Sequence, residues 1–268
     1  ADVAYSNLGS LGPHTGEASG LRYANVGASN MPDGSVLRFD LVLTNRSRYT
    51  PGDASANGID TCFAQVNIGC NTAVDLRVQV YPSCNTLDNC RACESLGSPS
   101  DRDACYLEGC SCFGQTCNSV GCCSGAAKDA KRIAYSCPQR DTPIVLPSTA
   151  FVGLAVYDLD GGPSNEYVES FTSSGYAYYQ TPLRAASGSE VVSSVVVDKD
   201  AGRFSSSAAG IVADKPTDPA ALSDDQASKA VQLFFLPKDG YVDASFSVTY
   251  SGSGTCSSRN LLLARDSR

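Results

Sequence analysis

The sequence predicts an all-β protein, an antiparallel β-sandwich (jelly-roll-like) with a disulfide-stapled, cysteine-rich insertion. Short segments in which apolar and polar residues alternate recur along most of the chain. Such alternation is typical of strands with one face on a core and the other in water. Clusters of Gly, Ser, Asn, Asp and Pro separate these segments. The long helices that a parallel α/β fold needs between its strands are missing from the pattern.

The alternation is clearest in three segments, 37–43, 74–80 and 242–248. Further segments at 152–156, 167–172, 191–197, 231–235 and 261–264 bring the total to about eight or nine strands. The predicted core includes Leu37, Phe39, Leu41, Val74, Leu76, Val78, Leu154, Leu233, Phe246 and Val248. Ser223 and Gln226 predict a capping box that opens a short helix, and residues 125–133 predict a second one.

Ten of the thirteen cysteines lie between Cys84 and Cys137. This segment has few β-branched residues and many turn residues, so it cannot build a core of its own and needs cross-links. We therefore predict that residues 1–83 and 138–268 form one β-sandwich and that residues 84–137 form a cysteine-rich inserted lobe. The alternative is two domains joined by a stapled linker.

Disulfides explain these cysteines better than zinc, because the chain has one C-x-x-C pair and one histidine. The cysteines predicted to form disulfides are Cys62, Cys70, Cys84, Cys90, Cys93, Cys105, Cys110, Cys112, Cys117, Cys122, Cys123 and Cys137. We expect most of those in the lobe to pair among themselves and Cys62 to pair with Cys70. Because the total is odd, Cys256 is the expected unpaired thiol.

The composition indicates a secreted protein. Dense disulfides require an oxidising compartment, which predicts an extracellular or secretory location or, alternatively, the thylakoid lumen. The chain begins with Ala1 instead of Met, which predicts that a leader has been removed, and Asn45 opens a glycosylation sequon. The net charge of −8 disfavours nucleic acid as a partner. The apolar runs are too short to predict a transmembrane segment.

No catalytic motif is present. A Ser-His-Asp or Cys-His mechanism needs an imidazole, and the single candidate, His14, reads as a surface residue in a loop. The G-x-S-x-G, P-loop and dinucleotide-binding patterns are also missing. A hydrolase that uses two carboxylates stays an alternative, because that chemistry leaves no sequence motif.

Two groups of residues are candidate binding sites. Asp158 and Asp160 project to the same side of a strand end and, with Glu169, predict a loop-type Ca²⁺ site. An EF-hand is excluded, because its sixth position would be Pro163 instead of Gly. The tyrosines that predict a ligand-binding surface are Tyr176, Tyr178 and Tyr179. The alternatives are a polar Asp/Gly hairpin for the first group and a sandwich-edge cover for the second.

The pattern of short motifs resembles a family of cysteine-bearing secreted or organelle-lumen proteins predicted from algal genomes. The motifs are Ser6-Asn7-Leu8-Gly9, Leu21-Arg22-Tyr23-Ala24-Asn25-Val26-Gly27, Val74-Asp75-Leu76-Arg77, Leu146-Pro147-Ser148, Tyr157-Asp158-Leu159-Asp160 and Arg259-Asn260-Leu261-Leu262. The resemblance covers nearly the whole chain. It implies lineage and compartment, and no activity or catalytic residue follows from it.

The sequence therefore favours a non-enzymatic structural or interaction module of an extracellular or lumenal assembly, with other proteins or a second copy of the chain as partner. The first alternative is a calcium-assisted glycan-binding domain that uses Asp158, Asp160 and the three tyrosines. The second alternative is the carboxylate-based hydrolase.

Overall fold

The computed structural model describes the chain on both sides of the cysteine-rich segment. The described residues are 2–30, 36–61, 63–82, 143–147, 150–210, 214–236 and 239–264. Within them lie fourteen strands: β1 (Asp2–Asn7), β2 (Gly20–Asn30), β3 (Val36–Asn45), β4 (Gly58–Asp60), β5 (Phe63–Ile68), β6 (Thr72–Pro82), β7 (Val152–Tyr157), β8 (Tyr167–Thr172), β9 (Tyr176–Gln180), β10 (Val195–Asp198), β11 (Arg203–Ser206), β12 (Val231–Phe235), β13 (Tyr241–Tyr250) and β14 (Arg259–Ala264). The one α-helix among the described residues, α1 (Asp224–Ser228), begins with the predicted Ser223–Gln226 capping box. Short 3₁₀ turns lie at Leu8–Ser10, Ala54–Ala56 and Pro163–Asn165.

The strands form two antiparallel sheets that pack together as a sandwich. The larger sheet has the order β1-β2-β3-β6-β13-β8-β11-β10, and the smaller has the order β4-β5-β14-β7-β12-β9. Both sheets combine strands from before and after the 83–142 segment, and their facing sides share one hydrophobic core. The predicted all-β sandwich is confirmed, whereas this strand order does not confirm a jelly roll. The predicted lobe 84–137 and the helix at 125–133 lie outside the described residues.

Strands with one face on the core follow the alternation that predicted them. The side chains of β6 alternate along the strand, with Val74, Leu76, Val78 and Val80 buried. Of the ten predicted core residues, nine are buried, and Leu37 is outside the described side chains. Strand β10 begins at Val195, so the strand predicted at 191–197 starts four residues later than expected.

The smaller sheet is buried on both faces over much of its length. A second hydrophobic cluster covers its outer face, where Leu183, Ala185 and Leu222 pack with Ala227 of α1 against Tyr157. All six residues of β5 are buried, although its sequence alternates between apolar and polar residues. Ala64, Val66 and Ile68 belong to the central core, while the buried Gln65 and Asn67 on the other face are hydrogen-bonded. The sequence prediction missed β5 although this alternation is a strand signal.

A disulfide joins Cys70 to Cys256, with a Cα–Cα distance of 5.9 Å. The expected Cys62–Cys70 bridge and the expected free thiol at Cys256 are therefore wrong. The reason lies in the sheet: β5 and β14 are neighbours, and Arg259 pairs with Ile68 two residues before Cys70. A sequence separation of 186 residues hides this proximity. The other eleven cysteines lie outside the described residues.

The disulfide supports the predicted oxidising compartment, because such bonds persist where thiols are not kept reduced. Among the residues that the structure describes, no helix is long and apolar enough to cross a membrane.

Replacing both cysteines, in Cys70→Ser/Cys256→Ser, should lower the free energy of unfolding by about 2–5 kcal/mol, because the bond closes a very long loop in the unfolded chain. Equilibrium urea denaturation measures this loss. Each single variant should lose a similar amount, since each removes the same bond. A double variant with the wild-type midpoint and slope would contradict a stabilising role.

Candidate functional site

An exposed aromatic surface lies at the edge of the smaller sheet. The rings of Tyr178 and Phe234 stack with centroids 4.4 Å apart and an interplanar angle of 15°. Phe151 meets Tyr178 edge-on at 5.5 Å. Phe151 and Tyr178 are 46% and 48% exposed, which is unusual for side chains of this size. Exposed aromatic side chains grouped in this way are typical of interaction surfaces.

A shift in strand register divides the three predicted tyrosines between two faces. In the β9–β12 pairing, Tyr178 lies opposite Phe234 on the outer face, and a register shift follows between Phe234 and Phe235. Tyr176 and Tyr179 instead pack against the core, with their rings 5.6 Å and 5.2 Å from that of Phe204. The structure therefore places only Tyr178 of the three on the exposed aromatic surface.

The aromatic surface forms one wall of a groove with a volume of about 530 Å³. We call it the aromatic groove; the lining residues that matter here are Phe151, Gly153, Tyr178, Gln180, Gln232 and Phe234. Ligand sites in proteins typically measure about 300–1,000 Å³ and combine apolar walls with a few polar groups. The aromatic groove has aromatic and aliphatic walls, and its polar lining residues are Gln180, Arg184 and Gln232.

The floor of the aromatic groove contains an amide that no other described residue satisfies. Gln232 is 5% exposed, and its side chain forms no hydrogen bond with any residue that the structure describes. Its amide atoms are not among the fully buried side-chain atoms without a partner, so they are accessible from the groove. Gly153 packs closely beside this amide, because a Cβ there would lie only 3.2 Å from Nε2 of Gln232 and 3.7 Å from Cε1 of Phe234.

A second site lies at the other end of β7. Carboxylate oxygens of Asp158, Asp160 and Asp214 lie within 4.8 Å of one another, close enough to hold one metal ion. With Glu169, these residues form what we call the acidic cluster. The sequence indicated three of the four. It missed Asp214, which is 54 residues from Asp160 in a loop without a recognisable motif.

Arg259, the first residue of β14, connects two members of the acidic cluster. Its Nε donates to Oε1 of Glu169 at 2.7 Å, and its Nη2 contacts Oδ1 of Asp160. The guanidinium also lies over the ring of Tyr167, 4.3 Å from the centroid. Burial, followed by the nearby charge of Asp160, raises the pKa of Glu169 well above its ordinary value despite the contact with Arg259.

Lys229 provides the second cation of this site. Its Nζ contacts Oδ2 of Asp214, donates to Oδ2 of Asp225 at 3.0 Å and donates to the carbonyl of Ala209 at 3.2 Å. Burial alone lowers the pKa of Lys229, but the two carboxylates outweigh it and the pKa is raised. Four carboxyl groups thus face two contacting cations among the described residues.

Asp158 is the member of the acidic cluster that forms no ion pair with a described residue. It has a left-handed backbone with φ of 62°, and its Oδ1 is buried without a hydrogen-bond partner among the described residues. Burial, and then the charges of Asp160 and Asp214, raise the pKa of Asp158 to about 6. Asp and Asn adopt the left-handed conformation more readily than other non-glycine residues, which suits Asp to this strand end.

The aromatic groove and the acidic cluster are separate sites. Gly153 and Asp158 lie five residues apart along and just beyond the same strand, which corresponds to about 16 Å at ~3.3 Å per residue. The structure therefore does not bring the predicted calcium ligands and Tyr178 together. A ligand in the aromatic groove has no direct contact with an ion in the acidic cluster.

The predicted glycosylation residue, Asn45, ends β3 and is half-buried. Its Nδ2, the atom that would carry a glycan, donates to the carbonyl of Ser47 at 3.0 Å, and its Oδ1 accepts from the backbone N–H of Gly9 at 3.1 Å. Its glycosylation stays a prediction.

Comparisons with known proteins give no relative for this chain: no protein-family model, curated protein or solved structure matches it. The algal resemblance therefore stays a prediction, and the functional argument depends on the two sites alone.

The raised pKa of Asp158 predicts that acid stabilises the fold in one pH window. Because this pKa is higher in the folded protein (about 6) than the ordinary value of 3.8, the folded state binds the proton more tightly between these two values. Asp158 therefore costs stability above about pH 6, and as pH falls toward about pH 4 that cost disappears. The free energy of unfolding of the wild type should therefore rise as pH falls from about 6 toward 4. Asp158→Asn should remove roughly 1–3 kcal/mol of that rise.

Urea denaturation of the wild type and Asp158→Asn at a series of pH values measures the difference. Asn keeps the left-handed backbone, and Asp200→Asn, at an exposed position, is the control. Parallel pH profiles for the wild type and Asp158→Asn would contradict the assignment.

Proposed function

We propose that the chain is a non-enzymatic interaction module of an extracellular or lumenal assembly and that it holds its partner in the aromatic groove. The observation that carries this proposal is the combination of exposed stacked rings with an amide in the groove floor that bonds to no described residue. A partner that covers the rings must also supply hydrogen bonds to this amide, which selects partners of matching chemistry. The partner is another component of the assembly or a second copy of the chain.

The proposal predicts that the aromatic groove keeps the protein attached to its surroundings. Phe151→Ser/Tyr178→Ser should lose most of its retention on the insoluble extracellular or lumenal fraction of the source cells, because both exposed rings are removed. The matched control is Val192→Ser/Val196→Ser, since these valines are 86% and 56% exposed elsewhere on the surface. Washing labelled proteins from that fraction measures retention. Equal retention of the wild type and the groove variant would refute the proposal.

A second candidate function is calcium binding by the acidic cluster. Ca²⁺ takes oxygen ligands at about 2.3–2.6 Å, so two ligands of one ion lie up to about 5 Å apart. The oxygens of Asp158, Asp160 and Asp214 satisfy this limit. An ion would also offset the excess negative charge and give the buried Oδ1 of Asp158 a partner. We propose that this ion stabilises the strand end and does not touch a ligand in the aromatic groove.

Millimolar Ca²⁺ should raise the melting temperature of the wild type by mass action, and Asp158→Asn should lose that increment. Asp158→Asn should also be more stable than the wild type in chelator, because it removes a repelling charge at neutral pH. Differential scanning calorimetry with Ca²⁺, Mg²⁺ and chelator measures both effects, with Asp200→Asn as control. An unchanged wild-type transition in Ca²⁺ would exclude the ion.

The carboxylate-based hydrolase stays a prediction that the contacts do not favour. Glu169 has the raised pKa that a general acid needs, but it is 1% exposed and paired with Arg259. A substrate reaches it only after that pair opens.

A further inference from the structure

The polar floor of the aromatic groove identifies the class of ligand that fits it. The Gln232 amide offers two N–H donors and one carbonyl acceptor, and no described residue bonds to any of them. Its side chain is 5% exposed and lines the aromatic groove. A ligand that satisfies it must donate and accept hydrogen bonds within a small region.

The walls require an apolar surface on the same ligand. Tyr178 and Phe234 form a stacked pair, and Phe151 closes against Tyr178 edge-on. Between them, Gly153 lets Gln232 and Phe234 pack close to the backbone of β7, because a Cβ there would lie 3.2 Å from Nε2 of Gln232. The ligand therefore carries an apolar face for the rings and hydroxyl-like groups at its edge.

We propose that the aromatic groove binds the sugar rings of a glycan, with one ring against Tyr178 and Phe234 and its hydroxyls on Gln232. This inference rests on the proposed function, because it names the partner of the same groove. A sugar ring has an apolar C–H face and an equatorial rim of hydroxyls, each of which donates and accepts. The volume of about 530 Å³ suits a compact ligand of this kind.

Two other ligand classes fit less well. A proline-rich peptide docks on aromatic surfaces, but proline has no N–H, so the Gln232 carbonyl would stay without a donor. A lipid chain would leave both the N–H groups and the carbonyl of the amide unpaired. A glycan satisfies all of them.

The test is binding of the intact, disulfide-bonded protein to an array of neutral and acidic oligosaccharides, with affinities for the hits measured by titration calorimetry. The wild type should bind a related set of glycans. Tyr178→Ala should weaken binding about tenfold or more, through lost stacking and burial. Gly153→Val should abolish binding because its side chain displaces the Gln232 amide, which a Cβ there already approaches to 3.2 Å, while Val suits the strand. Val192→Ser is the control and should bind like the wild type.

Gln232→Leu is the discriminating variant. It keeps the size of the side chain and breaks no hydrogen bond to a described residue, so it should fold with about wild-type stability. For a glycan it should weaken binding about tenfold; for an apolar ligand it should leave binding equal or tighter. Equal or tighter glycan binding would overturn the role of Gln232 and with it this inference.

The outcomes also separate this inference from the proposed function. One outcome is that the protein binds no glycan on the array but is still retained on source material through the groove. If that retention resists glycosidases and is lost after protease treatment of the material, the glycan is overturned and the interaction module is kept. A proline-rich peptide that binds in the same assay would likewise overturn the glycan and keep the module. Retention that survives Phe151→Ser/Tyr178→Ser would overturn both.

Discussion

The position of β14 is the constraint on which the smaller sheet depends. This last strand lies in the middle of the sheet, between β5 from the first part of the chain and β7 from the second. Leu261, Leu262 and Leu263 are each at most 1% exposed, because both faces of the strand are covered. The hydroxyl of Tyr23, from the larger sheet, donates to the carbonyl of Leu263 at 2.7 Å. Without β14 the sheet would divide into two separate pieces.

The same strand positions the acidic cluster. The Cys70–Cys256 disulfide joins the turn after β5 to the segment that leads into β14. Cys256 lies three residues before Arg259. Arg259 then reaches across to Asp160 and Glu169 from β14's first position. A covalent bond between distant parts of the chain thus fixes the cation that holds two buried carboxylates together. Arg259 thus links the acidic cluster to the smaller sheet, while Asp158, Asp160 and Asp214 themselves lie outside the strands.

Local patterns predicted the parts of the structure that face water on one side. The strands β3, β6 and β13 alternate because one face is buried and the other exposed, and Asp158 and Asp160 are close enough in sequence to suggest a shared site. The rest depends on long-range contacts. Asp214, Arg259 and the Cys70–Cys256 pair meet only through sheet neighbours. The two faces of β9 depend on a register shift beside Phe234 that composition does not encode.

Both candidate sites are places where the sequence forgoes stability. Gln232 keeps an amide that bonds to no described residue at a largely buried position where Leu would fit, and Asp158 keeps a carboxyl with a pKa of about 6 where Asn would preserve the backbone. Each is a local conflict in a fold that is otherwise consistent with its sequence. Conflicts of this kind are expected where a protein binds something, because the ligand supplies the missing partner. Gln232 lies opposite Ala155 of β7 and the exposed rings lie beside the start of that strand, whereas Asp158 follows its end, so a ligand and an ion can bind to the same sheet without competing for its side chains.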